Sequence, residues 1–167
     1  MRISKPGIEK AVRKILCSCS RDLPPTPLDR ICLEQNIRVF YTNGEDPFFC
    51  CGTLLSTDCA ELKTVIYIPV GSGPESRRWM ISHLLGHIVL RHERCDYGEK
   101  NEMEDLASEF AAELLMPEKI LRKYIDTQLA VTSEARAVLE LADAFEVPPQ
   151  DMWKRLREFH KKFAVSF

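Results

Sequence analysis

The chain has 167 residues, 45% of them apolar and 29% charged, with a formal net charge of −2. Such a chain can bury a real core as one domain, or as a domain with a small helical appendage, and its near-neutral charge excludes general affinity for nucleic acid or an anionic membrane. No apolar run approaches the ~20 residues of a membrane span, and the basic stretch Met1 to Lys14 is not followed by the apolar segment of a signal peptide, so a cytoplasmic protein is expected.

In chain order, Ile8, Val12, Ile15 and Leu16 repeat at helical spacing and predict an amphipathic helix over 7–20 that stops before Pro24-Pro25. Thr26 is a candidate N-cap for a helix over 27–35, with Pro27 at its first position. Three runs rich in Val, Ile, Phe and Tyr follow: Arg38 to Thr42, Phe48 to Leu55 and Thr64 to Val70. Asn43-Gly44 and Asp46-Pro47 mark the first turn, and short connections predict a small, mostly antiparallel sheet. After Gly71-Ser-Gly-Pro74, a long helix is expected from about Pro74 to His92. A loop over Glu93 to Lys100 follows, then helices over 101–115, 118–127, 133–145 and 149–162. The class is α+β, helices around a small sheet. The expected organisation is a main domain over 1–127 and a helical C-terminal segment over 128–167.

Cys17, Cys19, Cys32, Cys50, Cys51, Cys59 and Cys95 are an odd set without a secretion signal, so reduced, mostly buried thiols are expected. Neither Cys50-Cys51 nor Cys17-x-Cys19 has the C-x-x-C spacing of a zinc knuckle.

The chemistry is concentrated in His83-Leu84-Leu85-Gly86-His87. Two histidines four apart on a helix share a face and can bind one tetrahedral metal. Met80, Ile81, Leu84, Leu85, Ile88 and Val89 cover one broad side of that helix, Trp79 and Leu90 flank the histidines, and only Ser82 and Gly86 interrupt the apolar ring. A mostly buried helix follows, and buried imidazoles need partners. In the next helix, Glu102, Asp105, Glu109 and Glu113 form one side that reads as solvated. Glu104 instead falls in the stripe of Ala107, Ser108, Ala111 and Leu115, where small residues allow close helix packing. A carboxylate there needs a cation or several donors. Spacing alone leaves two readings open: a zinc ligand beside the histidines, or a structural ion pair with Arg77, Arg78 or Lys100.

Arg77-Arg-Trp-Met-Ile-Ser-His83-Leu-Leu-Gly-His87-Ile-Val-Leu resembles the "R-x-x-x-A-H-E-L-G-H-I-L-L-H" segment of the ImmA/IrrE metallopeptidases. Glu104 to Pro117, ending Phe110-Ala-Ala-Glu-Leu-Leu-Met-Pro117, is similar to their "E-x-x-A-N-x-F-A-A-E-L-L-M-P" segment. The resemblance covers about residues 26–127, with both motifs in the family's order. It implies a gluzincin-like site with His83, His87 and Glu104 as zinc ligands. Ser108 stands where the family has Asn or Asp, in the place of a partner to a ligand.

One departure bears directly on activity. The family's motif is H-E-x-x-H, and Leu84 occupies the position of its glutamate. That glutamate is the general base and acid of the resembled enzymes, a role worth ~10² to 10⁴ in rate, and leucine cannot fill it. No catalytic residue is therefore assigned. Glu75, Glu93, Glu99 and His92 are the nearby replacements in sequence; His92, about 140° round a continuous helix from His87, is not expected to join the site.

Leu139 to Leu156 is similar to the "L-A-x-x-F-x-V-S-x-x-x-V-x-x-R-L" pattern of helix-turn-helix units, and Lys154, Arg155, Arg157, Lys161 and Lys162 make the last helix basic. With only two evident helices in a slightly acidic chain, packing or partner docking is expected rather than DNA binding. The resemblance implies a metallopeptidase-like protein in transcriptional regulation, acting on a helix-turn-helix repressor. Leu84 favours a non-catalytic, partner-binding pseudoenzyme instead, and a DNA-binding regulator using residues 133–162 is a third reading.

Overall fold

A computed structural model describes residues 5–18, 23–43, 53–56, 63–92, 101–128 and 134–163. The chain runs through α1 (Lys5–Ser18), α2 (Leu28–Glu34), β1 (Ile37–Thr42), β2 (Thr53–Ser56), β3 (Lys63–Pro69), α3 (Pro74–Leu90), α4 (Glu102–Leu115), α5 (Glu118–Gln128), α6 (Glu134–Phe145) and α7 (Pro149–Phe163). The α+β class holds.

The sheet corrects the antiparallel expectation. Its order is β1-β3-β2, and its longer pairing, β1 with β3, is parallel, from Ile37 opposite Thr64 to Thr42 opposite Pro69. Only β2 runs antiparallel, with Thr53 opposite Ile66 and Ser56 opposite Lys63. Short connections imply antiparallel neighbours, but parallel neighbours need a crossover of a dozen residues or more. Residues 43–62 supply that length, and β2 is the return strand within it. Residues 48–52 of the second predicted strand lie outside the described residues, as does the loop Glu93 to Lys100.

Thr26 does not cap α2. Pro27 holds the N-cap position, and the Thr26 hydroxyl donates to the Leu114 carbonyl at 2.9 Å, serving a last-turn acceptor of α4. Arg78 on α3 donates to the Thr26 carbonyl at 2.8 Å, so one residue ties α2 to both central helices. Asn101 is a true N-cap: its side chain accepts from the amides of Met103 and Glu104, each at 3.0 Å. That cap fixes the first turn of α4, where Glu104 sits.

Helix α3 lies at the centre, with every residue from Ile81 to His87 buried between β3 and α4. Gly86 sets its approach to α4. A Cβ there would meet the Ala107 carbonyl oxygen at 3.0 Å, the Ala107 Cα at 3.1 Å and the Phe110 Cβ at 3.2 Å. The first two are backbone atoms, so the crossing tolerates only glycine without a shift. The predicted stripe of small residues is thus the face that α3 packs on.

One apolar core runs from Ile8, Val12 and Ile15 of α1 through Leu84, Leu85, Phe110 and Leu114 to Val138, Leu141, Phe145, Met152, Leu156 and Phe159 of α6 and α7. No helix among the described residues is long and apolar enough to cross a membrane.

Candidate metal centre

His83 and His87 project from successive turns of α3 toward the first turn of α4. The His83 Nε2 lies 2.9 Å from Glu104 Oε2, the His87 Nε2 lies 3.2 Å from Glu104 Oε1, and the two Nε2 atoms are 3.1 Å apart. The three residues are 1%, 2% and 6% exposed. The structure therefore brings together the three candidate ligands of the sequence. Of the ion-pair partners open to Glu104, Arg77 donates to the Ser72 and Val70 carbonyls, and Arg78 donates to the Thr26 and Glu146 carbonyls and pairs with the Glu146 carboxylate. Lys100 lies outside the described residues.

The donor chemistry of this triangle decides what fits it. A ring nitrogen offers one in-plane position, either a proton or a lone pair. Each Nε2 here makes two short contacts, one to the carboxylate and one to the other ring. Protons on both Nε2 atoms serve the carboxylate contacts but leave two N–H donors facing each other 3.1 Å apart, and a proton on only one ring requires a second on the buried carboxyl. Lone pairs on both rings would face a buried carboxylate with nothing between. A cation at the centre serves all three groups at once. Zinc bonds of about 2.0–2.2 Å in a tetrahedral array place ligand atoms roughly 3.3 Å apart, close to the separations seen. His83, His87 and Glu104 could hold a metal ion.

Each imidazole has a further neighbour at its other nitrogen. Ser108 Oγ lies 3.3 Å from His83 Nδ1, at the position the motif assigns to a ligand's partner. His92 Nδ1 lies 3.1 Å from His87 Nδ1, with ring centroids 5.0 Å apart. The continuous-helix reading kept His92 away, and it fails because the helix stops first. Arg91 takes a left-handed conformation (φ 58°), its amide bonds the Ile88 carbonyl at 3.2 Å, and the His92 amide bonds the His87 carbonyl at 2.9 Å. This reversal folds His92 back beside the histidine one turn earlier. Its imidazole pKa is lowered, first by burial and then by the neighbouring His87, with Glu104 opposing.

The acidic side of α4 is not uniformly solvated. Glu102 and Asp105 are exposed, but Glu113 is covered by α7, where the buried Arg155 guanidinium bonds its carboxylate and the Met116 carbonyl. Burial raises the Glu113 pKa and Arg155 opposes the shift. Arg155 is thereby withdrawn from the basic face of the last helix, and Arg157 lies over the Trp153 ring at 4.6 Å. The side chains of Lys161 and Lys162 lie outside the described residues.

The model of the IrrE N-terminal-like domain, peptidase family M78, matches residues 32–157. The chain belongs to that family. A comparison with curated proteins returns no match. In this IrrE N-terminal-like domain, the residue after the first histidine is Leu84, completely buried in the apolar core. Glu75, one replacement base, is exposed in the first turn of α3, eight residues or about 12 Å along the axis from His83. Glu93 and Glu99 lie outside the described residues. Among the described cysteines, Cys17 and Cys32 are free thiols, and burial, with Asp29 second, pushes the Cys32 thiol up to about 11, so it is unreactive.

Proposed function

We propose that this chain is a zinc-binding protein of the ImmA/IrrE type with impaired or absent peptidase catalysis, working in the cytoplasm in transcriptional regulation through a helix-turn-helix repressor partner. The observation that carries the proposal is the pairing of a buried His83–His87–Glu104 triangle with Leu84 where the motif has glutamate. Zinc held by that triangle would supply Lewis acidity. The chain's own residues supply the rest. His83 and His87 present their Nε2 atoms, Glu104 balances charge, and Gly86 lets α4 approach closely enough for Glu104 to reach them. Proton transfer to a leaving amine needs a group of intermediate pKa beside the reacting bond, and the Leu84 side chain has none. On this reading the chain binds its repressor partner without cutting it.

Leu84→Glu tests this. The buried position makes the change costlier than helix propensity alone suggests: about 2–3 kcal/mol of apolar burial is lost and a carboxyl group must be desolvated. The variant is expected to melt earlier, bind zinc as the parent does, and cleave a helix-turn-helix repressor in a chelator-sensitive way, while the parent binds that repressor and leaves it intact. Equal chelator-sensitive cleavage by both would overturn the loss of catalysis and show that another base serves. DNA binding by the parent without any repressor contact would favour the α6–α7 regulator reading.

A further inference from the structure

Zinc affinity depends on how well each imidazole is held in the tautomer that leaves its metal-facing nitrogen bare. His83 and His87 are served differently in this respect. His83 has a serine hydroxyl at its Nδ1, which can donate or accept and so enforces neither tautomer. His87 has another imidazole there, with the two Nδ1 atoms 3.1 Å apart. One proton between them is the only arrangement that avoids two facing donors or two facing lone pairs. Two backbone bonds of the α3 C-terminus hold His92 for that contact: the Arg91 and His92 amides bonded to the Ile88 and His87 carbonyls. The chain reversal therefore sets the His92 backbone beside His87, and the His92 ring meets His87 at Nδ1, the nitrogen away from the Nε2 that faces Glu104.

We infer that His92 is a positioning residue for the metal site: its Nδ1 accepts the Nδ1 proton of His87, which fixes the His87 Nε2 lone pair toward the position between His83, His87 and Glu104. His92 in this arrangement carries its own proton on Nε2. It neither touches substrate nor ligates the ion; it acts through His87. This inference rests on the zinc reading above and adds a residue that the H-x-x-x-H motif does not contain. It also assigns a purpose to the left-handed Arg91, since a helix continued through Arg91 would carry His92 away from the His87 ring.

The test is zinc affinity by competition against a chromophoric chelator, with the cobalt(II) absorption spectrum as a second reading, for the parent, His92→Ala and His92→Asn. Asparagine places an acceptor oxygen where the histidine has Nδ1. His92→Ala should lose about 10- to 100-fold in zinc affinity and shift the cobalt bands. His92→Asn should recover most of the affinity and the parental spectrum, and all three metal-free proteins should melt together. Parental affinity in His92→Ala would overturn the inference. So would an alanine loss that asparagine does not restore, or one that tracks a lowered melting temperature of the metal-free protein, since either shows a packing role. A parent that binds no zinc would overturn this inference together with the zinc reading, whereas a zinc-binding parent unaffected by His92→Ala would leave that reading standing.

Discussion

Two buried polar groups tie α4 to its neighbours, and they are built on opposite principles. At its C-terminal end, Glu113 meets Arg155 of α7, and the same guanidinium also bonds the Met116 carbonyl. A carboxylate and a guanidinium satisfy one another, so this contact is complete within the protein. At the N-terminal end, Glu104 meets His83 and His87 of α3, and the three residues offer ligand atoms that converge on one point. The first pairs opposite charges, whereas the second gathers two imidazoles and a carboxylate, the donor set of a metal site. A carboxylate paired with a guanidinium holds two elements together; a carboxylate and two imidazoles whose ligand atoms converge can hold a metal ion.

The contrast can be broken by mutation. Arg155→Ala leaves the part-buried Glu113 carboxylate with only the long Glu118 amide contact, and should cost about 2–4 kcal/mol of stability in a denaturant titration, with zinc affinity unchanged. A loss below about 1 kcal/mol would put the pair in the class of surface bridges. Gly86→Ala pushes a methyl group against the Ala107 backbone and should cost about 1–3 kcal/mol while weakening zinc binding, because the α3–α4 spacing sets the reach of Glu104. Stability lost with affinity intact would show that the site does not depend on that crossing. Ser108→Ala should be the mildest, lowering zinc affinity about tenfold at most with little change in stability, since its 3.3 Å contact to His83 is long. A larger loss would make the serine the principal support of His83.

The central part of this arrangement is legible in the sequence because it depends on helical period. His83 and His87 four apart, and Glu104 among Ala107, Ser108 and Ala111, mark two facing surfaces in the sequence, and the close approach at Gly86 is added by the structure. What escapes depends on where the chain turns. His92 requires knowing that Arg91, a residue with no special preference for positive φ, ends the helix in the left-handed region. The parallel β1–β3 pair requires knowing that 43–62 is a crossover and not two turns. The covered state of Glu113 requires knowing that Arg155, one of five basic residues in its helix, turns inward. Leu84 is legible in the sequence as a chemical loss, and its place on the apolar side of a mostly buried helix points to the burial that sets the cost of restoring glutamate.

The claim on which the account turns is that the His83–His87–Glu104 triangle is completed by a metal ion. The direct measurement is zinc content per chain, by elemental analysis, of the parent and of Glu104→Ala after exposure to zinc and removal of the unbound ion. The account predicts close to one zinc per parent chain and close to none in the variant, with the variant still folded. A folded parent that retains no zinc, or equal zinc in the two proteins, would contradict it.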